Sequence, residues 1–137
     1  MDLVLDSNIL FRTLISRGAI IEIIFNKNLK LFAPERLKKE FLSHRKEVLQ
    51  KSKLSEQEFN ELVSLLFSVV KFVPTNEYKE YVPKAKGLLK AHLKDVEFLA
   101  LALKLDCLIW TYEELFFDIG FGISTKQISS KINFSES

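Results

Sequence analysis

Four acidic side chains stand where they could do chemistry together. Asp6 directly follows the apolar run Leu3-Val4-Leu5, and Asp95 opens the apolar segment that continues to Leu105. Glu113 comes just after Trp110-Thr111-Tyr112, and Glu40 lies a few residues beyond Pro34. Carboxylates that converge without matched bases repel one another, and a hard divalent cation removes that repulsion. Mg²⁺ and Mn²⁺ prefer oxygen ligands, keep several waters and are often shared with substrate phosphates. Such a site can activate water and stabilise a phosphodiester transition state. Taken singly, each acid has a plainer reading. Asp6 and Asp95 could cap the helices that follow them, Glu40 could pair with surface lysines, and Glu113 and Glu114 could be ordinary loop acids. The chemistry rests on the set.

The elements that must position these acids can be read from hydrophobic periodicity. Asp2 to Leu5 reads as a buried strand, and Ile9, Leu10, Thr13 and Leu14 recur at helical spacing until Gly18. A second helix covers Ala19 to Asn28, and Leu29 to Ala33 reads as another strand. Pro34 suits the first turn of a long helix to about Ser52. Ser55 with Glu58 forms a capping box for a helix to about Val70. Lys71 to Val73 is a short strand, and Thr75 to Leu89 is helical but broken at Pro83 and Gly87. Asp95 to Leu105 is a clear helix and Cys107 to Trp110 an apolar strand; a short strand near Ile123 and one helical turn complete the pattern. Alternating strands and helices, with strands apolar on both faces, predict an α/β fold: three α/β/α layers around a mainly parallel sheet of four or five strands. In such sheets ligands bind beyond the carboxyl ends of the strands. Asp6 and Glu113 fall there. On a helical wheel Glu40 borders the stripe formed by Leu37, Phe41, His44 and Val48, where a side chain can line a cleft.

Composition narrows the function classes. The 137 residues are 47% hydrophobic and 28% charged, which predicts one domain over 1–137 with a packed core. No apolar run approaches the ~20 residues that span a bilayer. Asp2 and Asp6 argue against a signal peptide, so a cytoplasmic protein is expected. The single cysteine, Cys107, excludes an internal disulfide or a cysteine-based zinc site, and no glycine-rich phosphate loop is present. His44 and His92 suggest no triad, and Trp110 and the phenylalanines read as core. A net charge of +2 names no partner by itself. Its distribution says more: Lys27 to Lys53 holds nine basic residues against three acids, a local +6, whereas Asp106 to Asp118 holds four acids and no base. Segments of opposite sign suit an anionic polymer beside a cation site; solvated helix faces are the plainer account.

The ordered set of motifs resembles the PIN-domain family of metal-dependent ribonucleases, which includes toxins of toxin–antitoxin pairs. It comprises Asp6-Ser7-Asn8-Ile9-Leu10 after a strand, Pro34 to Phe41, Asp95 to Leu103, and Ile109-Trp110-Thr111-Tyr112-Glu113. The similarity runs from about Leu3 to Ile128. The resemblance implies catalytic roles for Asp6, Glu40, Asp95 and Glu113, with Asp6, Asp95 and Glu113 on Mg²⁺ or Mn²⁺. It also implies that Thr111 orders the site and Asn8 supports Asp6. Two positions depart from the family pattern: Glu113 stands for the usual aspartate, and Leu115 for a second one that often follows. Glu114 or Asp118 could compensate. Arg12, Lys38, Lys39 and Lys94 are expected to hold RNA phosphates.

An endoribonuclease, of the kind that serves as a toxin with an antitoxin partner, is therefore the leading expectation. A PIN-like domain without catalysis, acting in RNA binding or complex assembly, is the second. A haloacid-dehalogenase-like phosphatase is the third; it usually needs an aspartate where Asn8 stands. A homodimer is also expected. The helix from Ser55 to Val70 carries more apolar side chains, among them Phe59, Leu62, Leu65, Leu66 and Val69, than one stripe requires.

Overall fold

The computed structural model describes residues 1–136, with side chains through residue 132. Its centre is a five-stranded, all-parallel sheet in the order β3-β2-β1-β4-β5. The strands are β1 (Asp2–Leu5), β2 (Lys30–Pro34), β3 (Val70–Val73), β4 (Leu108–Trp110) and β5 (Gly122–Ile123). Leu3, Val4 and Leu5 of the central strand are wholly buried, as a strand covered on both faces requires. The helices are α1 (Ser7–Ser16), α2 (Ala19–Ile24), α3 (Arg36–Ser52), α4 (Glu56–Val69), α5 (Val82–Leu89), α6 (Val96–Leu105), α7 (Glu114–Asp118) and α8 (Thr125–Glu136). They cover both faces of the sheet, giving the three-layer α/β/α architecture.

The topology fixes where a ligand can enter. From β1 the chain steps outward to β2 and β3, then returns to β1's other side for β4 and β5. The direction of winding therefore reverses between β1 and β4, and a crevice opens there at the carboxyl edge. Asp6 leaves β1 at this point, its N–H donating to the Trp110 carbonyl at 3.1 Å, and Thr111 leaves β4 beside it. In a parallel sheet each crossover helix runs opposite to its strands. The first turns of α3 and α6 consequently lie at the same edge as Asp6.

Helix α6 is the anchor of this arrangement. Val96, Phe98, Leu99, Ala100, Leu101 and Ala102 are all buried, against β1, β2, β4 and α5. A fully buried leucine such as Leu99 or Leu101 contributes about 1.5–3 kcal/mol. A helix buried over its first seven residues apart from Glu97 places the residue at its start, Asp95, on a rigid support. Trp110, Tyr78, Phe41, Phe59 and Phe116 are the largest wholly buried side chains.

Several local expectations change. Pro34 ends β2, in register with Val73, and the long helix begins at Arg36. The fixed φ of proline suits an extended residue as well as a first helical turn. Thr75 to Leu89 divides before Pro83, not at it: two 3₁₀ turns, Thr75–Glu77 and Lys79–Tyr81, precede α5, whose first turn holds the proline. Gly87 does not break α5. After Ile123 the chain forms the twelve-residue α8, not a single turn, with Ile128 and Ile132 buried. The capping box of Ser55 and Glu58 is present. On α4, Phe59 and Leu66 are buried and Leu62, Val63 and Phe67 pack against the core, so the apolar surplus reduces to exposed Leu65 and Val69. No helix among the described residues is long and apolar enough to cross a membrane.

Candidate active site

At the reversal point lies a cleft of about 480 Å³. Four segments line it. β1 leads into Asp6, Ser7 and Asn8; the first turns of α3 contribute Arg36, Lys39, Glu40 and Ser43. Lys94, Asp95, Glu97 and Phe98 come from the start of α6, and Glu113 follows β4. Arg36, Glu40 and Ser43 recur at helical spacing and so share one face of α3. All four acids expected to carry the chemistry thus face one space, although Asp6 and Glu113 lie more than a hundred residues apart in sequence.

Asp6 is the buried centre of the group, 2% exposed. Its Oδ1 accepts from the Ser7 N–H at 2.8 Å, which caps α1, and its Oδ2 accepts from the Thr111 hydroxyl at 2.6 Å. The Thr111 oxygen in turn accepts the Glu113 N–H at 2.8 Å. One threonine therefore orients both the first acid and the loop that carries the last. Asn8 donates from Nδ2 to Glu113 Oε1 at 3.1 Å, so it fixes Glu113 and not Asp6 as expected. Asp95 stands at the start of α6 but makes no side-chain capping bond, which removes capping as its explanation.

The electrostatics follow from this packing. Burial drives the Asp6 carboxyl up to about 6; the donors Thr111 and Ser7 oppose the rise, and the charges of Asp95 and Glu113 add to it. Asp95 is raised as well, first by burial and then by the charge of Glu113. Among the described residues, no ion pair engages Asp6, Glu40, Asp95 or Glu113. Carboxylates that share a cleft without ion-pair partners suit a hard cation, and all their donors are oxygens. No three Asp, Glu, His or Cys side chains among the described residues already stand as a ready-made metal site.

The other expected residues divide. Lys39 and Lys94 line the cleft. Lys38 does not; its Nζ lies 4.6 Å from the centroid of the Phe72 ring. Arg12 sits over the Tyr112 ring at 4.4 Å, in a neighbouring hollow. Glu114 opens α7 outside the lining. Cys107 is half-buried just before β4, its thiol pushed up to about 11 by burial, so it is inert. Two lining residues escaped the sequence reading: Arg36 and Glu97, paired at 3.5 Å across the starts of α3 and α6. Their signal was faint but present, because Arg36 lies one turn before Glu40 and Glu97 two residues after Asp95.

Among curated proteins, none matches the chain. A family model described as the PIN domain matches residues 4–134, nearly the whole sequence, and with the parallel sheet and the acids at its reversal point this establishes that the chain belongs to the PIN-domain family.

Proposed function

We propose that the protein is a Mg²⁺- or Mn²⁺-dependent endoribonuclease that hydrolyses RNA phosphodiester bonds, and that it acts as the toxin of a toxin–antitoxin pair in the cytoplasm. PIN domains are generally nucleases and typically use divalent metals. The observation that carries the reading is Asp6, a buried carboxyl with no ion-pair partner among the described residues, lining one cleft with Asp95 and Glu113. Such a group costs stability, and binding of a cation offsets that cost.

Asp6, Asp95 and Glu113 are the residues that would hold the metal. When bound, it supplies an activated water and neutralises charge on the phosphoryl oxygens. The chain's own residues do the rest. Thr111 holds Asp6 with one oxygen directed by a hydroxyl and the other by the Ser7 N–H. Asn8 restrains Glu113. Arg36, Lys39 and Lys94 give the rim of the cleft positive charge for phosphates flanking the scissile bond. Glu40 lines the same space with no ion-pair partner among the described residues, in reach of the solvent that must enter.

The proposal includes a homodimer and an antitoxin-type protein partner, for which exposed Leu65 and Val69 of α4 are apolar contact points. The test is cleavage of single-stranded RNA by purified protein in Mg²⁺ or Mn²⁺, with EDTA and Asp6→Asn as controls. Cleavage lost in both controls supports the reading. Cleavage that survives Asp6→Asn, or none under any condition, contradicts it. The second reading, an RNA-binding domain without catalysis, is favoured by Glu113 in place of aspartate and by Leu115, and it predicts RNA binding without cleavage.

A further inference from the structure

Beside the acidic cleft lies a second hollow of about 420 Å³, lined by Asn8, Arg12, Ile15, Ser16 and Tyr112. Its chemistry is opposite to that of the first. It contains no acid, one cation and one aromatic ring. The two hollows share Asn8, the residue that restrains Glu113. Whatever sits in one is therefore adjacent to whatever sits in the other.

The aromatic ring is unusually well fixed for a surface side chain. Tyr112 is 43% exposed, yet its hydroxyl is hydrogen-bonded to Thr125 Oγ1 at 3.0 Å. The same Thr125 oxygen accepts from the indole N–H of wholly buried Trp110 at 2.9 Å. The ring is thus tied through Thr125 to the core of the sheet. On its face lies the Arg12 guanidinium, 4.4 Å from the ring centroid. Arg12 has no ion-pair partner among the described residues. A fixed aromatic ring, a planar cation and an apolar wall from Ile15 together match a flat, electron-rich ring that belongs to an anionic polymer.

We infer that this hollow is a nucleobase subsite, in which a base of single-stranded RNA next to the phosphate at the acidic cleft stacks against Arg12 and Tyr112. The inference rests on the ribonuclease reading and deepens it: Arg12 contacts a base, where the sequence suggested a phosphate. The subsite positions the strand and takes no part in bond breaking. Because every base has a π-face, it holds RNA of many sequences.

The test is binding of a fluorescein-labelled single-stranded oligoribonucleotide, followed by anisotropy in an Asp6→Asn background that lacks one repelling charge and blocks hydrolysis. Tyr112→Ala is expected to weaken binding about 5- to 150-fold, the range for loss of one stacked base, with no change in the salt dependence. Tyr112→Phe, which keeps the ring but gives up its tie to Thr125, is expected to lose much less than Tyr112→Ala. Cross-linking of an oligonucleotide carrying 5-iodouridine to the unsubstituted chain, mapped by peptide mass spectrometry, is expected at Tyr112. Equal binding by Tyr112→Ala and its parent overturns the subsite. So does equal loss in the alanine and phenylalanine variants, or cross-linking confined to other segments. Those results leave the acidic centre untouched; failure of the otherwise unaltered chain both to bind and to cleave RNA overturns the ribonuclease reading and the subsite with it.

Discussion

Replacing Asp6 by asparagine should stabilise the protein at neutral pH, an uncommon result for a buried side chain. The carboxyl rises from 3.8 to about 6 on folding, chiefly through burial, with Asp95 and Glu113 adding to the rise. Two units at about 1.36 kcal/mol each amount to about 3 kcal/mol by which the native state disfavours the ionised form. The sign is that of a raised carboxyl. Below its unfolded value the group is neutral in both states and its stabilising contribution is complete; as pH rises through about 6 that contribution is lost. Asparagine mimics the neutral form at every pH. In EDTA, Asp6→Asn should therefore gain about 2–3 kcal/mol at pH 7, or about 5–10 °C in Tm, and only about 0.5 kcal/mol near pH 4. Thermal unfolding by circular dichroism between pH 4 and 8 measures both. A variant that is no more stable than the parent at pH 7, or that shows the same difference at pH 4, refutes the reasoning. On the proposed reading, the stability forgone keeps a carboxylate ready for a cation.

The same site yields further expectations. In the parent protein, Mg²⁺ or Mn²⁺ should stabilise the fold by about 2.7 kcal/mol at a hundredfold excess over the dissociation constant; melts identical to those in EDTA count against the metal site. Thr111→Val removes the hydroxyl that serves both Asp6 and the Glu113 N–H. It should cost about 2–3 kcal/mol and move the Asp6 titration upward, observable by NMR of the carboxyl carbon. Arg36→Ala should weaken RNA binding and flatten the slope of log affinity against log salt by about 0.7, raising KM more than it lowers kcat; an unchanged slope removes Arg36 from the phosphate path. Light scattering at micromolar concentration should give a dimer that Leu65→Glu separates, and a monomeric parent contradicts the homodimer.

Much of the site was legible because the acids follow recognisable boundaries. A three-residue apolar run ending in Asp6-Ser7 announces both a strand end and a helix start, and the helix-starting Asp95 precedes a strongly apolar helix. What could not be read were contacts between distant segments. Asn8 looked like a partner for Asp6, two residues away, but reaches Glu113 across the strand gap. Tyr112 drew no role of its own from the sequence, since Thr125 and Arg12 come to it from two other elements. Helix α8 was underestimated because its serines are poor helix formers, and burial of Ile128 and Ile132 overrides that weakness. Its signal was nonetheless in the sequence: Ser124 and Gln127 exchange side-chain and backbone hydrogen bonds at 2.9 and 3.1 Å, a capping box. The departures at Glu113 and Leu115 bear on catalysis and leave the fold intact, since neither position is part of the sheet.

The most direct measurement is a crystal soaked in Mn²⁺ and examined for anomalous scattering. One strong peak is expected in the cleft, bound by carboxylate oxygens of Asp6, Asp95 and Glu113, and absent from crystals of Asp6→Asn. A peak elsewhere, no peak in the cleft, or one that persists without the Asp6 carboxylate contradicts the proposed metal site.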